Sequence, residues 1–261
     1  MMNGMDNEAG KRSQFADGMS GADCNDGRTV TEWKSLTYGY SGLAKTLDEP
    51  LQGNAKNCFF IAALKAVAFK ASGRLSTNSG KFTFLNTTAN PMADEEQSLN
   101  DNKVAIYNTT ANLVYARSTS SKYWPLLYEK AYALWIDSKD PEGKHWDSKD
   151  QTQPDIKKIF EDGGNGVTAM MHIARYKNKV EKGAIEWEGN VPKYPTIAAT
   201  KQLDAAVLKL PDQLTAKHTY VVVQKDATYY YLKDPCNNSV KKLEQAKLKT
   251  DKFDTWGYVY P

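Results

Sequence analysis

The sequence predicts an α+β protein with helices in its N-terminal part and strands in its C-terminal part. Two long apolar runs, one beginning at Cys58 and one at Trp124, have the length and pattern of helices. After about residue 180, β-branched and aromatic runs such as TYVVVQ and TYYYLK replace them. Because the two kinds of element are segregated along the chain, we expect two lobes rather than alternating βαβ units.

The N-terminal part divides into an arm and a helical lobe. Residues 1–30 are rich in Gly, Asp, Asn and Ser and predict a flexible arm or pro-segment. The helical lobe is expected over residues 31–180. Its first helix runs from Cys58 to about Ala71 and is apolar on nearly every face, which is typical of a central buried helix. Residues 72–102 are polar and predict an excursion loop.

Three further helices are expected in this lobe, around Trp124–Ile136, Ile156–Phe160 and Val167–Tyr176. A β-rich lobe is then expected over residues 181–261. Its strands are TYVVVQ, TYYYLK and a WGYVY segment near the end, and the first two are separated by a hairpin-length connection.

Composition narrows the class of protein. Of the 261 residues 41% are hydrophobic and 25% charged, which is ordinary for a globular chain that buries a core. The 34 basic and 31 acidic residues are spread along the chain, so no nucleic-acid partner is expected. The longest apolar stretch stops at Lys65, too short for a membrane span, and no signal peptide opens the sequence. We expect a soluble protein, cytoplasmic or secreted with its signal removed, of open oligomeric state.

Three cysteines, Cys24, Cys58 and Cys236, are too few for a disulfide framework, although one Cys24–Cys236 bridge is possible. Their spacing resembles no metal site. Cys58 stands in the first turn of the expected buried helix, where unpaired N–H groups and the helix dipole stabilise a thiolate. Position alone leaves two readings open, a reactive thiol and a small buried apolar side chain.

A thiolate nucleophile needs a base, and the chain contains three histidines. His145 lies in a charged loop, and His172 lies in an apolar helical stretch where a core or capping role is expected. His218 stands at the head of a strong strand, from which its side chain can project into a cleft. Asp234 and Asn237 follow the neighbouring strand, and a hairpin could place either beside the imidazole.

Four segments, in order, resemble the calpain-type cysteine proteases of the papain-like superfamily. Gln52 and Gly53 precede Cys58 and its apolar helix in the spacing of that family, and WPLLYEKAYA is similar to its Trp–Leu–Glu-Lys-Ala-Tyr-Ala helix. KHTYVVV resembles the strand that supplies the catalytic histidine, and LKDPCNN stands where the family has Arg-Asn-Pro-Trp-Gly. The resemblance covers roughly residues 48–240 and concerns the protease core alone.

This resemblance implies a papain-like two-lobed fold and a cysteine endopeptidase that hydrolyses peptide bonds through a thioester acyl-enzyme. It makes Cys58 the nucleophile, Gln52 the oxyanion-hole side chain, His218 the general base and acid, and Asp234 the orienting residue. The partner would be a protein or peptide substrate, and the chemistry would need no cofactor. An acyl transferase, a protein deamidase or a catalytically silent binding module with the same fold are the alternatives.

The chain departs from the family pattern around the site. Phe59 replaces a tryptophan, Lys56 and Asn57 replace Gly-Asp, and Cys236 replaces the tryptophan after Asn-Pro. Asp234 stands where asparagine is expected. A carboxylate there still accepts the imidazole N–H and would raise the pKa of His218, so activity should survive with an altered pH profile.

Calcium is considered because calpains are regulated by it. Asp48 and Glu49 lie just before Gln52, near where the family core places a calcium ligand. Calcium needs six to eight clustered oxygens, and the EDGGNG segment supplies no matching second acidic ligand. Solvated loop acids are therefore the preferred interpretation, and calcium regulation is the secondary one.

Overall fold

The computed structural model describes residues 24, 29–35, 45–75, 80–106, 113–119, 123–140, 144–201, 214–248 and 253–261. These residues form α-helices and antiparallel sheets, which confirms the predicted α+β class. Most of the expected N-terminal arm, residues 1–30, lies outside the described residues. No helix in the described ranges has both the length and the apolarity needed to cross a bilayer.

The four helices of the described chain agree with the predicted ones to within a few residues at their ends. They are α1 (Cys58–Lys70), α2 (Trp124–Asp137), α3 (Ile156–Ile159) and α4 (Gly166–Ala174). α1 is buried over residues 58–68 and lies in the larger hydrophobic core, against α4. Phe60 on α1 stacks on Tyr132 of α2, with ring centroids 4.5 Å apart. A helix enclosed on all sides can hold its first residue in a fixed position.

The main sheet has six antiparallel strands, β7 (Asn178–Glu181), β10 (Thr196–Thr200), β11 (Thr219–Lys225), β12 (Tyr229–Lys233), β13 (Val240–Glu244) and β14 (Phe253–Tyr260). They lie in the order β13-β12-β11-β10-β14-β7. Alternation along β11 sends Val221 into the core around α1 and sends Tyr220 and Val222 into a second apolar cluster on the opposite face. The sheet is therefore buried on both faces at β11, whereas its edge strands β7 and β13 are largely exposed or half-buried. β7 spans residue 180, the expected division between the lobes.

Four two-stranded sheets complete the described chain. They pair β1 (Glu32–Ser35) with β5 (Lys103–Ile106), β2 (Pro50–Leu51) with β6 (Arg117–Ser118), β3 (Lys81–Asn86) with β4 (Ala93–Ser98), and β8 (Trp187–Glu188) with β9 (Val191–Pro192).

The prediction of an excursion loop over residues 72–102 is wrong, because β3 and β4 form an antiparallel hairpin there. β3 alternates, and its Phe82 and Phe84 are completely buried. Both rings pack edge-on against Tyr128 of α2, at centroid distances of 4.9 and 6.3 Å. β4 (ADEEQS) carries a polar sequence, and only its pairing to β3 makes it a strand.

Candidate active site

Cys58 is the first residue of α1, and its side chain has no solvent exposure. The carbonyl oxygen of Asn57 accepts hydrogen bonds from the amides of Phe60 and Ile61 at 2.9 and 3.0 Å, which starts the helix. The N–H groups of the first turn lack partners within the helix, and the helix dipole places partial positive charge there. The thiol thus occupies a position that favours an anion.

His218 directly precedes β11 and lies against the thiol. The Cys58 sulfur is 3.9 Å from the carbonyl oxygen of Lys217 and 4.0 Å from the hydroxyl of Thr219, the two neighbours of His218. His218 Nδ1 is buried and has no hydrogen-bond partner among the described residues. The structure therefore brings the predicted nucleophile and the predicted base together.

The other imidazole nitrogen faces Asp234. His218 Nε2 and Asp234 Oδ1 are 3.0 Å apart, and both side chains are buried. Asp234 follows β12, whose Lys233 pairs with Val221 of β11, so the hairpin register sets the carboxylate beside the imidazole. Asn237 lies elsewhere, since its Oδ1 accepts a hydrogen bond from the amide of Ser239. Of the two orienting candidates, the structure selects Asp234.

The charges of this cluster stabilise one another. Burial opposes protonation of His218, but the Cys58 and Asp234 anions outweigh it and raise the pKa of His218 to about 9. Burial likewise opposes ionisation of Asp234, but the hydrogen bond and the charge of His218 hold the pKa of that carboxyl below its ordinary value. The arrangement supports a protonated imidazole beside the Asp234 carboxylate at neutral pH.

Gln52 lies in the same cluster, and several bonds fix its position. Its backbone N–H donates to the carbonyl of Pro235 at 2.9 Å, and the guanidinium of Arg117 donates to its backbone carbonyl oxygen at 3.0 Å. The side-chain Nε2 donates to the carbonyl of Ala55 at 2.8 Å, and Oε1 lies 3.7 Å from the sulfur of Cys236. The segment before Cys58 is thereby attached to the turn that carries Asp234.

The loop between Gln52 and Cys58 passes very close to another stretch of backbone. A Cβ at Gly53 would lie 1.9 Å from the carbonyl oxygen of Tyr115, a distance that no side chain tolerates. The amide of Asn54 donates to the carbonyl of Val114 at 2.8 Å. Glycine after the glutamine is therefore a requirement of this close approach.

Glu129, in the EKAYA part of α2, holds Asn57, the residue before Cys58, a role that sequence reasoning missed. Its Oε1 accepts a hydrogen bond from Asn57 Nδ2, and its Oε2 accepts one from the amide of Ala116 at 2.8 Å. The carboxyl is buried, and burial raises its pKa to about 8 against the effect of these two bonds. Because Asn57 immediately precedes Cys58, Glu129 fixes the start of α1.

Replacing Glu129 with alanine is expected to lower the free energy of unfolding by about 2–6 kcal/mol. The change leaves the side-chain amide of Asn57 and the backbone amide of Ala116 buried without partners, at about 1–3 kcal/mol each. Urea denaturation at pH 7 measures the loss. A Glu129→Ala protein as stable as the wild type would contradict the supporting role.

Glu129→Gln is the matched control, because it keeps one acceptor oxygen and nearly the same volume. The folded state raises the pKa of Glu129 from 4.5 to about 8, so it binds more protons than the unfolded chain between those values. This group therefore reduces stability as pH rises from about 4.5 to 8. Glu129→Gln is expected to lose that part of the pH dependence and to retain most of its stability at pH 7.

Lys65 is a second residue that the sequence did not single out. It is fully buried, and its ammonium donates to the carbonyl of Leu47 at 2.9 Å and to Oδ1 of Asn238. Burial lowers the pKa of Lys65 to about 7, against the attraction of Asp48 and Asp234. Lys65 thus connects α1 to the segment before Gln52 and to the turn after Asp234.

The other two histidines have structural partners. His172 is fully buried on α4, 2.9 Å from the hydroxyl of Tyr132 and 3.0 Å from that of Thr87, and burial lowers its pKa to about 3. His145 Nδ1 lies 2.8 Å from a carboxylate oxygen of Asp137. Neither histidine belongs to the cluster around Cys58, as expected from their sequence contexts.

The two acids considered for calcium bind protein groups. Asp48 forms an ion pair with Lys233, and Glu49 accepts hydrogen bonds from the indole of Trp124 at 2.7 Å and the amide of Thr46 at 3.1 Å. Over the described ranges, the groups of potential metal ligands include neither acid. Calcium regulation stays a prediction from the family resemblance.

A disulfide borders the site. Cys24 and Cys236 are bridged, which realises the one pairing that the sequence left possible, and Cys58 is the free cysteine. The sulfur of Cys236 lies 3.9 Å from Nε2 of His218, and its amide donates to Asp234 Oδ1 at 2.8 Å. The bridge therefore covers the contact between the imidazole and the carboxylate.

A cavity of about 480 Å³ lies beside the loop that leads to Cys58. Asn54 and Tyr115 form the wall on the side of this loop, and Asp147, Asp155 and Lys157 supply charges of both signs. The volume of the cavity falls within the range of small-molecule binding clefts, about 300–1,000 Å³.

Neither a scan of protein-family models nor a search of curated proteins gave a match to this chain. The functional assignment therefore depends on the geometry of the site.

Proposed function

We propose that the protein is a cysteine endopeptidase with a papain-like two-lobed fold. The observation that carries the proposal is the convergence of four side chains from distant parts of the chain. Cys58 begins a buried helix, His218 and Asp234 lie at the ends of paired strands, and Gln52 is attached to the same turn as Asp234. A nucleophile, a base and an orienting group in contact are the signature of covalent acyl transfer.

The proposed reaction starts from a thiolate–imidazolium pair. The Cys58 sulfur attacks the amide carbonyl of the substrate, and the resulting oxyanion receives hydrogen bonds from the Cys58 backbone N–H and the Gln52 side-chain amide. His218 then transfers its proton to the departing amine, which leaves a thioester on Cys58. In the second half His218 removes a proton from water, the water oxygen attacks the thioester, and the acid product leaves as the thiolate forms again.

Burial of the site has consequences for this chemistry. The low-dielectric surroundings strengthen the attraction between the imidazolium and its two anions. Since the thiol has no solvent exposure, the residues that cover it must move before a substrate can enter. The cavity beside Asn54, on the loop between Gln52 and Cys58, offers space for substrate side chains N- or C-terminal to the scissile bond.

The disulfide helps to decide whether the protein is cytoplasmic or secreted. Bridges such as Cys24–Cys236 form and persist in oxidising compartments and are rare in the reducing cytosol. This favours a secreted protein.

Labelling with a peptidyl chloromethyl ketone tests the proposal. The reagent is expected to alkylate Cys58 alone, because Cys24 and Cys236 are bridged and Cys58 is paired with an imidazole. Peptide mapping by mass spectrometry locates the adduct. In His218→Ala the labelling rate should fall by about 10²-fold or more, since the thiolate loses its counter-ion. Equal rates in the two proteins, or an unlabelled Cys58, would overturn the assignment.

A further inference from the structure

Four potential metal ligands meet on the side of the imidazole that faces away from Cys58. His218 Nε2, Asp234 Oδ1 and the sulfur of Cys236 all lie within 4.8 Å of one another. Gln52 Oε1 is a fourth donor, 3.7 Å from the same sulfur. Three elements converge here, namely the start of β11, the turn after β12, and the segment after β2.

The distances between these donors fit a tetrahedral zinc ion. With Zn–N near 2.0 Å and Zn–S near 2.3 Å, neighbouring donors in a tetrahedron lie roughly 3.3–3.6 Å apart. His218 Nε2 lies 3.0 Å from Asp234 Oδ1 and 3.9 Å from the sulfur of Cys236. The same sulfur lies 3.7 Å from Gln52 Oε1. These three separations lie within a few tenths of an ångström of the tetrahedral values.

The ligand types and charges also suit zinc. An imidazole, a thiolate and a carboxylate are the groups that Zn²⁺ binds most often. The thiolate of Cys236 and the carboxylate of Asp234 together neutralise the two positive charges of the ion. Lys65 is a buried cation whose charge interacts with Asp234, and it opposes metal binding.

In the bridged protein Cys236 cannot act as a ligand, because its sulfur is bonded to Cys24. A dithiol reductant breaks that bond, is itself oxidised to a disulfide, and leaves two thiols. Cys236 then releases its proton to solvent as a bond to the metal forms. We propose that reduction of the Cys24–Cys236 bridge opens a zinc site formed by Cys236, His218, Asp234 and Gln52.

Zinc at this site would stop the reaction of the proposed function, on which this consequence rests. A metal bound to Nε2 of His218 occupies the lone pair of that nitrogen. The ring can then no longer become an imidazolium with a proton on each nitrogen. With Nε2 coordinated, Nδ1 carries the proton of the neutral ring and cannot accept another from Cys58. The bridge thus keeps the base available, whereas its reduction exposes the base to inhibition by zinc.

The test measures binding of zinc chloride directly, in competition with a chromophoric chelator. Reduced wild-type protein is expected to bind one Zn²⁺ per chain, and the bridged protein is expected to bind at least about 100-fold more weakly, since it lacks the thiolate. Cys24→Ser, which frees Cys236 permanently, should bind without reductant. Replacement of zinc by cobalt should give the absorption of a thiolate-to-metal charge transfer.

Three variants separate this site from other ligands. Cys24→Ser combined with Cys58→Ala has Cys236 as its remaining thiol and should keep the affinity, whereas Cys24→Ser combined with Cys236→Ser should lose it. His145→Ala, which removes a ligand of the other candidate group at Asp137 and Asp140, should leave the affinity unchanged. Circular dichroism confirms that each variant is folded.

Zinc binding that is equal in bridged and reduced protein, or that survives Cys236→Ser, would overturn the proposal, as would reduced protein that binds none. Peptide hydrolysis provides a second measurement, in which zinc should inhibit the reduced enzyme reversibly and spare the bridged one. If zinc binds as expected but neither form hydrolyses peptides, the metal site stands and the proposed protease function fails.

Discussion

Cys58→Ser is expected to reduce kcat/KM for peptide hydrolysis by at least about 10³-fold. The hydroxyl that replaces the thiol has a far higher pKa than a thiol. Nδ1 of His218 therefore cannot remove its proton to form an anion at neutral pH. The measurement uses a quenched fluorescent peptide library, with cleavage products identified by mass spectrometry. Products that show only deamidated glutamine would favour the deamidase alternative.

A double variant tests whether the thiol of Cys58 and the imidazole of His218 act together. His218→Ala should cost about as much as Cys58→Ser, and the double variant should be no worse than either, because the pair acts as one unit. His145→Ala is the matched control and should keep wild-type activity, since that side chain contacts Asp137 away from the cluster. Additive losses, or full activity in Cys58→Ser, would contradict the assigned roles.

Asp234→Ala is expected to reduce kcat by about 10²–10³-fold and to shift the pH profile. In the wild type the pKa of His218 is raised from 6.5 to about 9, so the imidazolium exists below about pH 9 and is lost above it. The alkaline limb of kcat/KM should therefore lie near pH 9. Without the carboxylate the buried imidazolium loses one of its two anions, and the limb should move to lower pH.

Asp234→Asn distinguishes the charge from the hydrogen bond. An amide oxygen still accepts the N–H of His218 but carries no charge, so most of the activity at pH 7 should remain while the alkaline limb moves down. The same shift contributes to stability, since a raised histidine pKa stabilises the fold fully below pH 6.5 and loses that contribution as pH rises through 9. An alkaline limb at the same pH in all three proteins would show that Asp234 does not act through the imidazole charge.

Local sequence predicted the secondary structure of segments whose own pattern of residues favours one conformation. The apolar run after Cys58 predicted a buried helix starting at that residue, and the helix starts there. The strong strand after His218 and the turn after Lys233 likewise placed Asp234 within reach of the imidazole. These features follow from periodicity and hairpin length, which are local properties.

Contacts between distant segments could not be predicted in this way. The polar sequence ADEEQS gives no strand signal, and it forms β4 because β3 offers a partner whose other face is buried. The bond from Asn57 to Glu129 joins residues 72 positions apart, and nothing in either local sequence indicates it. Likewise Lys65 is an isolated cation in an apolar run until Leu47 and Asn238 surround it.

The order of strands in the main sheet affects when the sheet can form during synthesis of the chain. β14 follows all the other described strands in the chain, yet it lies inside the sheet between β10 and β7. β10 in turn pairs with β11, the strand that His218 precedes. A ribosome delivers these strands in sequence over seconds, and until β14 emerges β10 has an open edge. We infer that, until β14 has been made, the strand that follows His218 belongs to an incomplete sheet, so the imidazole is not yet held firmly beside the thiol of Cys58.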